Sequence, residues 1–95
     1  MTRGDRLCDL IVDLLSILRS GEHDVAWSRY RTVHEAISDL ERLHGRIEEG
    51  DPAAREQLKL LCAPTGSIDE IALSSGWADT WVKLVDGKYR SAFER

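Results

Sequence analysis

The twelve residues LCDLIVDLLSIL, Leu7 to Leu18, restrict what this chain can fold into more than any other segment. Nine are apolar, and the exceptions, Asp9, Asp13 and Ser16, recur at spacings of four and three. On a helix running from Asp5 to Arg19 those three form one narrow stripe, and every other face is apolar. Such a helix must be covered on most sides. Either it lies at the centre of a helical domain, or part of it is a dimer face. Ser20 and Gly21 end it, glycine taking the left-handed cap conformation without a Cβ clash. Twelve residues are too few to span a bilayer. Two aspartates interrupt the run and no small-residue cleavage site follows, so the segment does not read as a signal peptide, and the expected compartment is the cytoplasm.

From Asp24 to Glu49, the residues Ala26, Tyr30, Val33, Ile37, Leu40, His44 and Ile47 follow at alternating spacings of four and three. This heptad seam predicts one long second helix of about 37 Å at 1.5 Å per residue. Such a helix either protrudes or breaks near Gly45. Gly50, Asp51 and Pro52 then mark a helix end, an N-cap and a first helical position. The third helix should run to Cys62 and bury Leu58, Leu61 and Cys62, with Pro64, Thr65 and Gly66 turning the chain.

Ser67 and Glu70 have the spacing of a capping box. Ile68, Ile71 and Ala72 follow as a short helix that Gly76 closes. Trp77, Trp81, Leu84 and Val85, at i, i+4, i+7 and i+8, predict a last helix. Asp86-Gly87 is also a hairpin signal, but the helical spacing begins well before it, so the tail reads as helix. The expected architecture is all-α, a compact bundle of four to five helices in one domain, residues 1 to 95.

Charge narrows the partners. The net charge is −4, with nine basic against twelve acidic residues in 1–66 and four against five in 67–95. Neither part has the positive excess that phosphate-backbone binding requires, so nucleic acid is disfavoured and a basic protein partner is favoured. The two cysteines, Cys8 and Cys62, sit in apolar helical surroundings without CxxC spacing and read as buried reduced thiols.

No phosphate-binding, nucleophile-elbow or zinc-protease motif occurs, so neither a cofactor nor catalysis is expected. His23, His34 and His44, at spacings of eleven and ten, would lie some 15 Å apart on one straight helix, too far to share a metal. They read as solvated or seam residues.

In SIDEIALSSGWADTWVKLVDG the spacing resembles the helix-turn-helix of repressors of the lactose-repressor class. Ala72 sits in the first helix, Gly76 in the turn, and Val82 and Val85 in the second helix, with Ile71 below. That resemblance implies that Thr80, Trp81 and Lys83 face a DNA groove. The residues there, Ala78, Asp79 and Thr80 with Lys83 as the one cation, do not suit base readout. APTGSIDEIALSSGW, Ala63 to Trp77, also resembles a segment of small uncharacterised bacterial all-α proteins, with Pro-Thr-Gly, a helical turn and Gly-Trp in that order. It implies a bacterial source and no activity.

The sequence reading is therefore a small acidic protein that binds and masks a basic protein partner, as immunity proteins and other inhibitors do. Asp69, Glu70, Trp77 and Asp79 are its expected contacts, aromatic anchors supplying affinity and charges orientation. The alternatives are a helix-turn-helix regulator spanning residues 67–87 and a dimerisation module self-associating through Leu15, Ile37 and Leu40.

Overall fold

The computed structural model describes residues 6–64 and 66–93. Asp5 and Thr65, expected in the first helix and the third turn, lie outside the described residues. α1 (Arg6–Leu18), α2 (Val33–Glu48), α3 (Pro52–Cys62) and α4 (Ser67–Ser75) are followed by α5 (Ala78–Lys83), a π-helical turn (Leu84–Lys88) and α6 (Arg90–Phe93). The last three run on from one another, giving five helical units and no strand among the described residues. Each unit packs on the next in chain order.

α1 occupies the centre. Leu7, Leu10, Ile11, Leu14 and Leu18 are buried, and Leu15 is 7% exposed. Val12 alone of the large apolar residues on this helix stands well out into solvent. At about 25 cal/mol per Å² of apolar area, burying one such leucine or isoleucine stabilises the fold by roughly 1.5–3 kcal/mol, so this helix organises the core.

α2 begins nine residues later than the heptad seam predicts. Thr32 caps it in extended conformation, its Oγ1 accepting from the Glu35 amide at 3.1 Å, while Glu35 Oε1 accepts from the Arg31 amide at 2.7 Å. Upstream, side chains satisfy the backbone locally and so compete with a helix. The Ala26 amide donates to Asp24 Oδ1 at 2.9 Å and the Tyr30 amide to Ser28 Oγ at 3.1 Å. The buried row of α2 is Ala36, Leu40, Leu43 and Ile47, so Ile37 and His44 fall at its edge.

The capping box at Ser67 does not form. Gly66 is the N-cap, and Ser67 Oγ instead accepts from the Arg29 amide at 3.1 Å. At the other end of α4, Ser75 Oγ accepts from the Asp24 amide at 2.7 Å. The two serines therefore strap the 24–29 loop lengthwise along α4. Gly76, at φ 86°, closes α4 as expected.

The tail is helical, not a hairpin, but it carries one extra residue. The Tyr89 amide donates to Leu84 O at 2.8 Å, five residues back. An inserted residue turns everything after it by about 100°. Tyr89 is thereby brought inward, where continued α spacing from Trp81 would place Lys88. Its hydroxyl donates to Asp13 Oδ2 at 2.5 Å, the Lys88 ammonium lies 3.0 Å from the same oxygen, and the Arg6 guanidinium stacks over the Tyr89 ring. This clasp joins the C-terminal segment to the polar stripe of α1.

Candidate functional site

The four expected contact residues are spread along α4 and α5, Asp69 and Glu70 at the start of α4 and Trp77 and Asp79 where α5 begins, and the fold gives them different tasks. Asp69 and Glu70 lie in the first turn of α4, both half-buried, and Asp79 lies exposed in the first turn of α5. Carboxylates at such positions favour the helix dipole, a local reason for their presence. Trp77 is partly buried and engaged within the chain. Its Nε1–H donates to His23 Nδ1 at 3.0 Å, and its ring meets His23 and Trp81 edge to face, with centroids 5.9 and 6.4 Å away. His23 Nε2 faces the carbonyl oxygens of Ile17 and Ser20 at 2.9 and 3.0 Å, so it carries the proton and leaves Nδ1 as acceptor.

Trp81 is 2% exposed and belongs to the core. The side chain that the regulator reading turns toward DNA is therefore inside the protein, while Thr80 and Lys83 are exposed. Leu15 and Leu40, expected on a dimer face, are covered by the chain's own helices, and Ile37 is half-buried.

A groove of about 430 Å³ lies between the end of α3, the start of α4 and the C-terminal segment. Its apolar walls are Cys62, Ala63 and Pro64 on one side and Trp81, Val82, Val85 and Phe93 on the other. Lys59, Asp69 and Asp86 supply its polar groups. Val82 is 50% exposed, an apolar side chain facing open space. Of the four expected contacts, only Asp69 reaches this groove. Val82 and Val85 escape the sequence reading because their spacing fits the helix-turn-helix pattern, Asp86 because with Gly87 it reads as a turn signal, and Phe93 because nothing local links it to Cys62. Gly66, in the turn from α3 to α4, is required for space: a Cβ there would lie 2.6 Å from the carbonyl oxygens of Leu60 and Leu61.

Cys8 and Cys62 are buried thiols that are not joined to each other. Burial pushes the Cys62 thiol up to about 12, so at neutral pH it is an uncharged part of the groove wall. No group of three or more His, Cys, Asp or Glu side chains suited to a metal ion occurs among the described residues. Nor is any helix among them long and apolar enough to cross a membrane.

A second polar cluster lies on α2. The Tyr30 hydroxyl donates to Asp39 at 2.6 Å and Arg42 pairs with the same carboxylate. Burial opposes ionisation of Asp39, but these donors outweigh it and hold its pKa below the usual carboxylate range. Burial, reinforced by the same carboxylate, drives the Tyr30 phenol well above its ordinary value. Both groups are fully engaged with each other and tie the 24–32 loop to α2.

Comparison of the chain with protein-family models, curated proteins and solved structures finds no match.

Proposed function

We propose that this chain is a small bacterial interaction protein of the cytoplasm, without catalysis of its own, that binds a basic protein partner and masks it in the manner of an immunity protein or inhibitor. The supporting observation is the acidity of the segment from the start of α4 to the π-helical turn. Residues 67–86 carry Asp69, Glu70, Asp79 and Asp86 against Lys83 alone, so 4 − 1 gives a net −3 of the chain's −4. An excess of one sign along a segment attracts a partner of the opposite sign, raising its association rate more than its final affinity. Affinity would come from apolar anchors beside the charges. Trp27 is one such anchor. It is 76% exposed and stands two residues from Arg29, whose amide fixes the loop to the first turn of α4.

The test is capture from the source organism's lysate, with and without nuclease, using the tagged protein and a variant carrying Asp69→Lys, Glu70→Lys and Asp79→Lys. The expected result is one basic protein at fixed ratio, indifferent to nuclease and lost with the variant. Recovery of DNA that nuclease removes would replace this reading with the regulator. Self-association with no further partner would replace it with the dimerisation module.

A further inference from the structure

We propose that His23 is a pH-sensitive latch between the end of α1 and the start of α5: uptake of a second proton by its imidazole releases the Trp77 side chain and loosens the start of the 24–29 loop. The neutral ring is fully used. Nε2–H donates toward Ile17 O and Ser20 O at 2.9 and 3.0 Å, and Nδ1 accepts from Trp77 Nε1–H at 3.0 Å. A second proton would take the Nδ1 lone pair and leave two N–H groups facing one another. The other edge of the ring gains by the same event, because carbonyl oxygens at a helix C-terminus favour a cation. The imidazolium therefore stays with α1 and lets go of α5. Ser75, two residues before Trp77, holds the Asp24 amide, next to His23, at 2.7 Å, so that strap is the first to feel the release.

Nothing charged around the ring overrides this. Among the described residues its recess is lined by Ser16, Ile17 and Ser20 from α1 and the turn after it, and by Trp77 and Thr80 from the start of α5; Asp79 and Lys83 of α5 do not line it. Arg19, past the end of α1, pairs with Glu41 of α2. On its own segment Glu22 and Asp24 are exposed, and Asp24 Oδ1 accepts from the Ala26 amide. Among the described residues no carboxylate is within ion-pair distance of His23; the histidine so paired is His44, with Glu48 at 3.4 Å. Imidazoles change charge within about pH 5–8, the range in which the latch would work. The Trp77 bond contributes while Nδ1 keeps its lone pair and is lost as pH falls. The loosened loop carries Trp27, 76% exposed. Resting on the masking proposal, in which Trp27 is an anchor, partner binding should weaken over the same range.

The test is an NMR titration of the isotope-labelled full chain from pH 8 to pH 5, following the three indole N–H signals beside the histidine ring signals. The Trp77 indole signal should shift with the same midpoint as the His23 ring, while those of Trp27 and Trp81 do not follow it. Protection of the Asp24 amide, corrected for the intrinsic pH dependence of exchange, should fall about fivefold, the order expected for one ordinary hydrogen bond, and that of Arg29 by less. Far-UV circular dichroism should stay constant. His23→Gln, which keeps a donor and an acceptor but does not titrate, should abolish the Trp77 transition. The double variant His34→Gln, His44→Gln should retain it. A Trp77 signal constant over the range, a transition that survives His23→Gln or is lost in the double variant, or a general loss of helicity would overturn the latch. The readout needs no partner, so a silent Trp77 leaves masking standing, and a lysate that yields no basic protein leaves the latch standing.

Discussion

Replacing Gly66 by alanine tests the turn on which the groove depends. The backbone there, φ −72° and ψ 174°, is open to any residue, so the obstacle is not torsional. It is space: the new methyl would sit 2.6 Å from Leu60 O, 2.6 Å from Leu61 O and 2.9 Å from Ala63 O. All three are backbone oxygens that cannot rotate aside. Either α4 backs away from the end of α3, or the Gly66 amide gives up its 2.8 Å bond to Ala63 O. Overpacking of this kind costs about 1–3 kcal/mol, and loss of the hydrogen bond about 0.5–1.5 kcal/mol where that is the route taken, so about 1–3 kcal/mol is expected. A chain of this length has about 5–14 kcal/mol in total. With a urea slope of about 1.5 kcal/mol/M, the midpoint should fall by about 0.7–2 M. The assay is urea unfolding followed by circular dichroism and by tryptophan fluorescence. Gly45→Ala is the control, since nothing lies within 4 Å of a Cβ added there, in the last turn of α2, and it should gain up to about 0.5–1 kcal/mol from helix propensity. A Gly66→Ala midpoint within about 0.3 M of wild type, at unchanged slope, would refute the steric argument.

Tyr30→Phe removes a hydroxyl that donates to an ionised carboxylate, a bond of about 1.5–3 kcal/mol, and should lower the melting temperature by several degrees while leaving helix content unchanged. Acid should act through Asp39 and Asp13. Burial opposes ionisation of each, yet the Tyr30 and Arg42 donors at one, and Tyr89 and Lys88 at the other, depress both folded pKa values. A depressed folded pKa gives stability that is present above the unfolded value, about 3.9, and lost as pH falls through the folded value. Stability should therefore drop below about pH 4, and the double variant Asp13→Asn, Asp39→Asn should show a flatter pH profile in denaturant unfolding. Trp77→Phe keeps an aromatic edge but leaves His23 Nδ1 without its donor, at a cost of about 1 kcal/mol. Hydrogen exchange should then quicken at the Asp24 and Arg29 amides, which hold the loop on α4.

How much was legible follows from how far each signal reaches. Asp51 and Pro52 start α3 as the sequence predicts, because a cap and a proline act on backbone groups within one turn. Gly76 ends α4 for the same reason. The error at α2 came from weighing a long pattern above a local one: Thr32 and Glu35 have cap spacing, and they, with Asp24 and Ser28, decide where the helix begins. Ser67 shows the converse. Its capping spacing is present, but Gly66 takes the cap and the hydroxyl is used by Arg29, a partner 38 residues away.

The sequence by itself determined the helical class, the need to cover Leu7 to Leu18 on most sides and the acidity of residues 67–86, since these follow from periodicity and composition along the chain. Only the tertiary structure decided which face of the C-terminal segment points inward. That choice depends on one inserted residue between Leu84 and Tyr89, which brings Tyr89 to Asp13, 76 positions away. It also depends on the close approach of α3 and α4 at Gly66, which leaves Trp81, Val85 and Phe93 walling a groove opposite Cys62. Local signals reach about one helical turn; a groove is made of residues that meet only after the helices have packed.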